Sequence, residues 1–205
     1  MEKNRLEAFS DGVLAIVITI MVLELRVPHG ADLPALLEVW PVFTSYVLSF
    51  VYVGIYWNNH HHMMQAVRHV NGAVLWSNLH LLFWLSLLPF ATRWVGETHF
   101  ARWPIFLYGI DLLLCALAYY VLQSALVRLH GRQSLLARAI GRNLKGKLSP
   151  VCYAAGIILA AAGLQRAGLL LFIAVALLWL IPDRRMERAL DDREAPPPRD
   201  TPTGR

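Results

Sequence analysis

Long apolar runs, separated by short polar or charged stretches, dominate this sequence. A helix of about 20 apolar residues is needed to span the roughly 30 Å of bilayer hydrocarbon. The pattern predicts six such helices, of which the last two are short and rich in Ala, Gly and Leu. They cover approximately residues 6–25, 33–60, 71–92, 103–127, 150–164 and 167–181. We therefore expect an all-α integral membrane protein with six transmembrane helices.

Proline and small residues predict where these helices bend or approach one another. Pro41 is expected to bend or start the second helix, and Pro89 to kink the last turn of the third, because proline lacks the backbone N–H. A tight turn at Gln165 and Arg166 is expected to join the fifth helix to the sixth. Small side chains in the fifth helix, including Gly156, favour close contact between helices.

The first apolar run is too short to lie in lipid alone. Gly12 to Leu23 is twelve residues without a charge, or about 18 Å of helix, and Asp11 and Glu24 flank it. A carboxylate at the membrane centre costs roughly 2.5–3.5 kcal/mol. We therefore expect other helices to shield this one, with its polar groups turned to protein or to water.

The same helix carries one continuous stripe. Gly12, Ile16, Thr19, Ile20 and Leu23 recur at the spacing of a 3.6-residue helix, so they share a face. A single threonine among branched aliphatic residues is also compatible with ordinary packing. Periodicity alone leaves both interpretations open.

Composition supports membrane insertion and limits the other classes. The chain is 57% hydrophobic and 16% charged, with a mean hydropathy of +0.46. Its net charge of +5 comes from Lys and Arg clustered in a few loops, so it predicts no nucleic-acid partner. Cys115 and Cys152 lie in apolar runs without ligand spacing, which argues against a disulfide framework or a zinc site. Asp11 lies where the apolar core of a signal peptide would be, so no cleavable signal peptide is expected.

The distribution of positive charge predicts the topology. Fifteen of the 19 Lys and Arg residues fall on the side that would hold both termini, so we expect both termini in the cytoplasm. The expected domain is a six-helix transmembrane body of residues 1–190, with an amphipathic basic connector at about 128–147. Residues 191–205 have the composition of a disordered cytoplasmic tail.

Titratable residues within the helices raise two alternatives. Asp111 is an acid within a predicted membrane helix. One interpretation is a functional acid of a proton-coupled small-solute transporter, and the other is a buried structural partner for an Arg, a Tyr or a helix end. A histidine group suggests a membrane metal or redox protein, although adjacent histidines point in different directions on a helix. Its members are His60, His61, His62, His69 and His80. No hydrolase, metalloprotease or phosphate-loop motif is present, so no enzyme is expected.

The first helix resembles the signature helix of the transmembrane protein 175 family of potassium channels, in its prokaryotic single-repeat form. The matching positions are Arg5, Phe9, Ser10, Asp11, Gly12, Ala15, Ile16, Thr19 and Leu23. Weaker matches follow in the family's order: Trp57 with His60 or His61, then Asn78, then Leu88-Pro89-Phe90.

The resemblance implies a homotetramer in the plasma membrane of a prokaryote, in which the first helix lines a central potassium-permeable pore among membrane lipids. By position, Ile16 would form the narrowest hydrophobic constriction, Ile20 and Leu23 further apolar rings, and Thr19 a hydroxyl ring linked to potassium preference. A structural network would hold the first three helices together. Its members would be Arg5, Phe9, Ser10, Asp11, Trp57, His60 and Asn78. The permeant ion would be K+, and no cofactor or metal is implied.

Overall fold

The structure is a computed structural model that describes residues 2–131, 133–134, 136–137 and 144–180. Its regular elements within those ranges are all α-helices, and the described chain contains no β-strand beyond one isolated bridge between Glu2 and His69. The helices are α1 (Asn4–Leu23), α2 (Leu33–Glu38), α3 (Trp40–Gln65), α4 (Gly72–Leu85), α5 (Leu88–Glu97), α6 (Arg102–His130), α7 (Leu144–Ala161) and α8 (Gln165–Leu180). The all-α prediction is confirmed.

Four stretches of the described chain are long and apolar enough to cross a membrane. They are α1, the consecutive pair α4 and α5 over Gly72–Glu97, α6, and α7. Helix α8 is a shorter apolar helix, and α3 spans 26 residues but carries the polar run Asn58 to His62 shortly before its end at Gln65. The chain is therefore a multi-pass membrane protein.

Two prolines begin helices where one longer helix was expected. Pro41 lies in the first turn of α3, after a break at Val39 that separates the short α2. Pro89 lies in the first turn of α5, so the third predicted helix is interrupted at Ser86 and then continues to Glu97 instead of ending near residue 92. A proline is tolerated in the first turn because the N–H it lacks has no partner there.

The hairpin of α7 and α8 turns two residues earlier than predicted. Gly163 has φ of 88°, and Gln165 already belongs to α8, so the expected turn at Gln165 and Arg166 is wrong. Glycine adopts a left-handed φ at little cost, which fixes the turn at this position. The predicted close contact is present: a Cβ on Gly168 would lie 2.5 Å from the carbonyl oxygen of Gly156.

The buried core takes residues from every helix of the described chain except the short α2. Tyr52 and Val53 of α3 and Leu112 and Leu122 of α6 are fully or almost fully buried there. Helix α6 contacts α4 on one side and α7 on the other, whereas α1 packs against α3, α4 and α5. The predicted connector overlaps the end of α6 and the start of α7. Residues 132, 135, 138–143 and the predicted tail lie outside the described residues.

Candidate functional site

Helix α1 has one buried face and one exposed face. The buried residues recur every three or four positions, as Leu6, Ser10, Leu14, Val17 and Met21. On the opposite face the predicted stripe is exposed: Ile16 by 58%, Ile20 by 43% and Leu23 by 81%. Gly12 and Thr19 are exposed beside them. The protomer therefore packs α1 through one face and leaves the stripe uncovered.

A buried hydrogen-bond chain joins α1, α4 and α3. The Ser10 hydroxyl donates to the carbonyl oxygen of Leu6 at 2.8 Å, so it needs a donor, and Asn78 Nδ2 supplies one at 2.9 Å. The amide oxygen of Asn78 then faces His60 Nε2 at 2.9 Å, so that nitrogen carries the hydrogen. Ser10, Asn78 and His60 are at most 1% exposed. The structure thus brings together three residues of the predicted network.

A second contact between α1 and α3 lies nearer the surface. Trp57 Nε1 donates to the Asp11 carboxylate at 3.0 Å, and the Trp57 ring stacks on His61 with centroids 5.8 Å apart. His61 Nδ1 lies 3.2 Å from the carboxylate of Glu7. Glu7 and Asp11 on α1 therefore face Trp57 and His61 on α3, each pair four residues apart. Sequence reasoning missed Glu7, although this matching spacing was the available signal.

Two predicted members of the network do not join it. Phe9 is 53% exposed, and Arg5 is exposed as well. Within the described ranges Arg5 forms no ion pair, with Asp11 or any other acid. Instead, Lys3 Nζ donates to the carbonyl oxygen of Met64 at 2.6 Å and ties the start of α1 to the end of α3.

The other end of α1 is held by an ion-pair cluster that sequence reasoning missed. Arg93 of α5 pairs with Glu24, which follows α1, and its Nε lies 3.1 Å from the Glu97 carboxylate. Arg26 Nη2 lies 2.7 Å from the same carboxylate. Glu24 is thus engaged with Arg93 and is not a free negative charge. Nothing in the sequence relates two residues 69 positions apart.

The remaining titratable candidates are spread through the bundle. The His80 ring accepts from Trp84 Nε1 at 2.9 Å, and His69 lies against His130 with centroids 4.8 Å apart. Among the described residues no group of three or more His, Cys, Asp or Glu side chains could hold a metal ion. Asp111 is buried, and its carboxylate has no hydrogen-bond partner in the described chain, so the buried partner expected for it is not seen.

These features define a class: a multi-pass helical membrane protein whose first helix is fastened at both ends and at its centre and leaves an apolar stripe uncovered. A sequence model of the family described as endosomal/lysosomal potassium channel TMEM175 matches residues 5–89. A Chryseobacterium protein named a potassium channel is 51% identical over 192 residues, which cover 94% of this chain and all of that protein. The chain belongs to the TMEM175 family, a family of ion channels and not of enzymes.

A solved structure and a human relative extend the comparison. The crystal structure titled a lysosomal potassium-selective channel TMEM175 homolog from Chamaesiphon minutus superposes with a TM-score of 0.76 at 26% identity. The match covers 87% of this chain and 96% of that chain. The human protein named endosomal/lysosomal proton channel TMEM175 is 35% identical over 116 residues, which cover 51% of this chain and 23% of the human protein.

Proposed function

We propose that this protein is a potassium-permeable cation channel, formed by four copies whose α1 helices surround a central axis. The observation that carries the proposal is the exposed stripe of α1, which lies opposite the buried face of the same helix. One copy of α1 cannot enclose a conduit, so closed symmetry is required. The relatives named as potassium channels support K+ as the permeant ion.

In this proposal the stripe provides both the gate and the ion preference. Ile16 forms the narrowest ring, and Ile20 and Leu23 form further apolar rings, which close the conduit by excluding water or by contact. The Thr19 hydroxyl donates to the carbonyl oxygen of Ile16 at 2.9 Å, so its lone pairs remain for a cation. Four such oxygens would replace part of the hydration shell of K+.

The structural network has a mechanical role in the same proposal. Ser10, Asp11, Trp57, His60 and Asn78 hold α1 against α3 and α4, so the stripe faces away from its own protomer. Arg5 and Phe9, exposed in the protomer, lie where a neighbouring copy could contact them. The channel body is the predicted domain of residues 1–190, with six spans and both termini in the cytoplasm of a prokaryote.

The proposal is tested by ion flux from liposomes that contain the purified full chain. We expect K+ flux to exceed Na+ flux, and Ile16→Asn to raise K+ flux because an amide ring holds water. Val22→Asn is the matched control, since Val22 is exposed on α1 by 45% but lies off the stripe. A pH-sensitive dye reports proton flux, because the human relative is named a proton channel. Absence of cation flux, or equal effects of both substitutions, would refute the gate.

A further inference from the structure

A lateral cavity of about 520 Å³ lies between α3, α6, α7 and α8, away from the exposed stripe of α1. This volume falls within the range of roughly 300–1,000 Å³ that holds a small organic ligand. Six of its fifteen lining residues are aromatic, among them Tyr52, Tyr56, Tyr119, Tyr153 and Trp179. No part of the proposed conduction path uses this cavity.

Several polar side chains of the cavity wall already form hydrogen bonds within the protein. Tyr52 donates its hydroxyl to the carbonyl oxygen of Phe172 at 2.5 Å, and Tyr119 donates to that of Asn59 at 3.3 Å. Trp179 Nε1 donates to the Ser149 hydroxyl at 2.8 Å. An occupant therefore meets mainly ring faces and methylene groups, which favours a hydrocarbon chain over a polar metabolite.

The cavity opens sideways on the outer surface of α6. Leu117 and Tyr120 line it and are 44% and 66% exposed. Both belong to a helix that is long and apolar enough to cross a membrane and that packs chiefly against α4 and α7 rather than α1, so in the proposed tetramer this opening faces the lipid phase. An occupant can enter from the bilayer without passing through water.

One end of the cavity is polar and basic. Arg102 at the start of α6 donates to the carbonyl oxygen of Ala161 at the end of α7, so these helices are antiparallel. Gln123 and Lys147 consequently share the opposite end, where Lys147 is exposed and has no ion pair within the described chain. Arg128 in the last turn of α6 adds positive charge at the same end. This arrangement is complementary to an anionic headgroup at the membrane surface.

We propose that the lateral cavity binds one anionic phospholipid, whose phosphate contacts Lys147 and whose acyl chain lies between α6 and α7 over the aromatic wall. The opening to lipid selects a membrane amphiphile, and the basic end selects a negative headgroup. The proposal does not depend on which ion the channel conducts. The full chain can therefore be tested without any flux measurement.

Fluorescence quenching by brominated lipid measures occupancy of the cavity. The full chain is placed in vesicles of phosphatidylcholine with brominated phosphatidylglycerol or, separately, brominated phosphatidylcholine. The Trp179 signal is the part lost in Trp179→Phe, since the chain holds 7 tryptophans. We expect this part to be quenched by brominated phosphatidylglycerol at several-fold lower mole fraction than by brominated phosphatidylcholine.

Two substitutions separate the headgroup contact from the cavity. Lys147→Gln should weaken the preference for phosphatidylglycerol about five-fold, the ratio that matches about 1 kcal/mol per basic side chain near the surface. Lys145→Gln is the matched control. It removes an equal charge two residues away from Lys147, and Lys145 does not line the cavity. Ala116→Leu fills the cavity and should reduce Trp179 quenching by both lipids, with an unchanged elution volume as the folding control.

Three results would overturn the proposal. Equal effects of Lys147→Gln and Lys145→Gln would mean that only general surface charge attracts the lipid. If neither lipid quenches Trp179 fluorescence in a chain of normal elution volume, no lipid enters the cavity. Quenching that arises only after removal of residues 191–205 would mean that the chain's own C-terminal segment occupies the cavity.

Discussion

Replacing Asn78 by Leu tests whether the buried hydrogen-bond chain fastens α1 to the bundle. The substitution keeps the side-chain volume but removes the donor to Ser10 and the acceptor for His60, at 2.9 Å each. Hydrogen bonds between membrane helices contribute about 0.6 kcal/mol on average and up to about 1.7. Two lost bonds, with one buried N–H left unpaired at His60, give an expected loss of about 1–3 kcal/mol.

The contribution of the Ser10–Asn78 bond itself is measured by a double-mutant cycle. Ser10→Ala, Asn78→Leu and the double variant are unfolded reversibly in mixed detergent micelles and followed by near-UV circular dichroism. We expect a coupling energy of about 0.6–1.7 kcal/mol between the two sites. Ser77→Ala is the control, because its exposed hydroxyl donates only within α4, and it should change stability by less than about 0.5 kcal/mol.

A coupling energy below about 0.3 kcal/mol would refute this reasoning. It would mean that Ser10 and Asn78 are buried side by side without a mutual contribution to stability. Apolar packing of Leu14, Val17 and Met21 would then suffice to orient the stripe. If the Ser77→Ala control loses as much stability as Asn78→Leu, that result also counts against a specific network.

Two further predictions concern the contacts of α7 and α5. Gly156→Ala should destabilise the chain by about 1–3 kcal/mol in the same unfolding assay, because the added Cβ would collide with the Phe172 ring. Gly54→Ala, whose Cβ would meet nothing within 4 Å, should be neutral or slightly stabilising, and a similar loss there would contradict the packing argument. Arg93→Gln should lower stability at low salt by releasing Glu24, and the difference should shrink towards 1 M salt; a salt-independent loss would point to packing instead.

The sequence by itself determined the class of protein and the faces of α1. Long apolar runs require helices in a bilayer, because only internal hydrogen bonds can satisfy the backbone there. Helical periodicity placed Ile16, Ile20 and Leu23 on one face, and the structure leaves that face exposed. The spacing of Arg5, Phe9, Ser10 and Asp11 led to the family, to which the chain belongs.

Only the tertiary structure decided which groups meet. Trp57 reaches Asp11 across 46 residues, and Arg93 reaches Glu24 across 69. Periodicity states which face of a helix a residue occupies, but its partner depends on how two separate helices rotate and slide against each other. That choice is made by packing of the whole core, for example where Gly156 lets α8 approach α7. The same global packing creates the lateral cavity, whose lining comes from four helices and has no local pattern in the sequence.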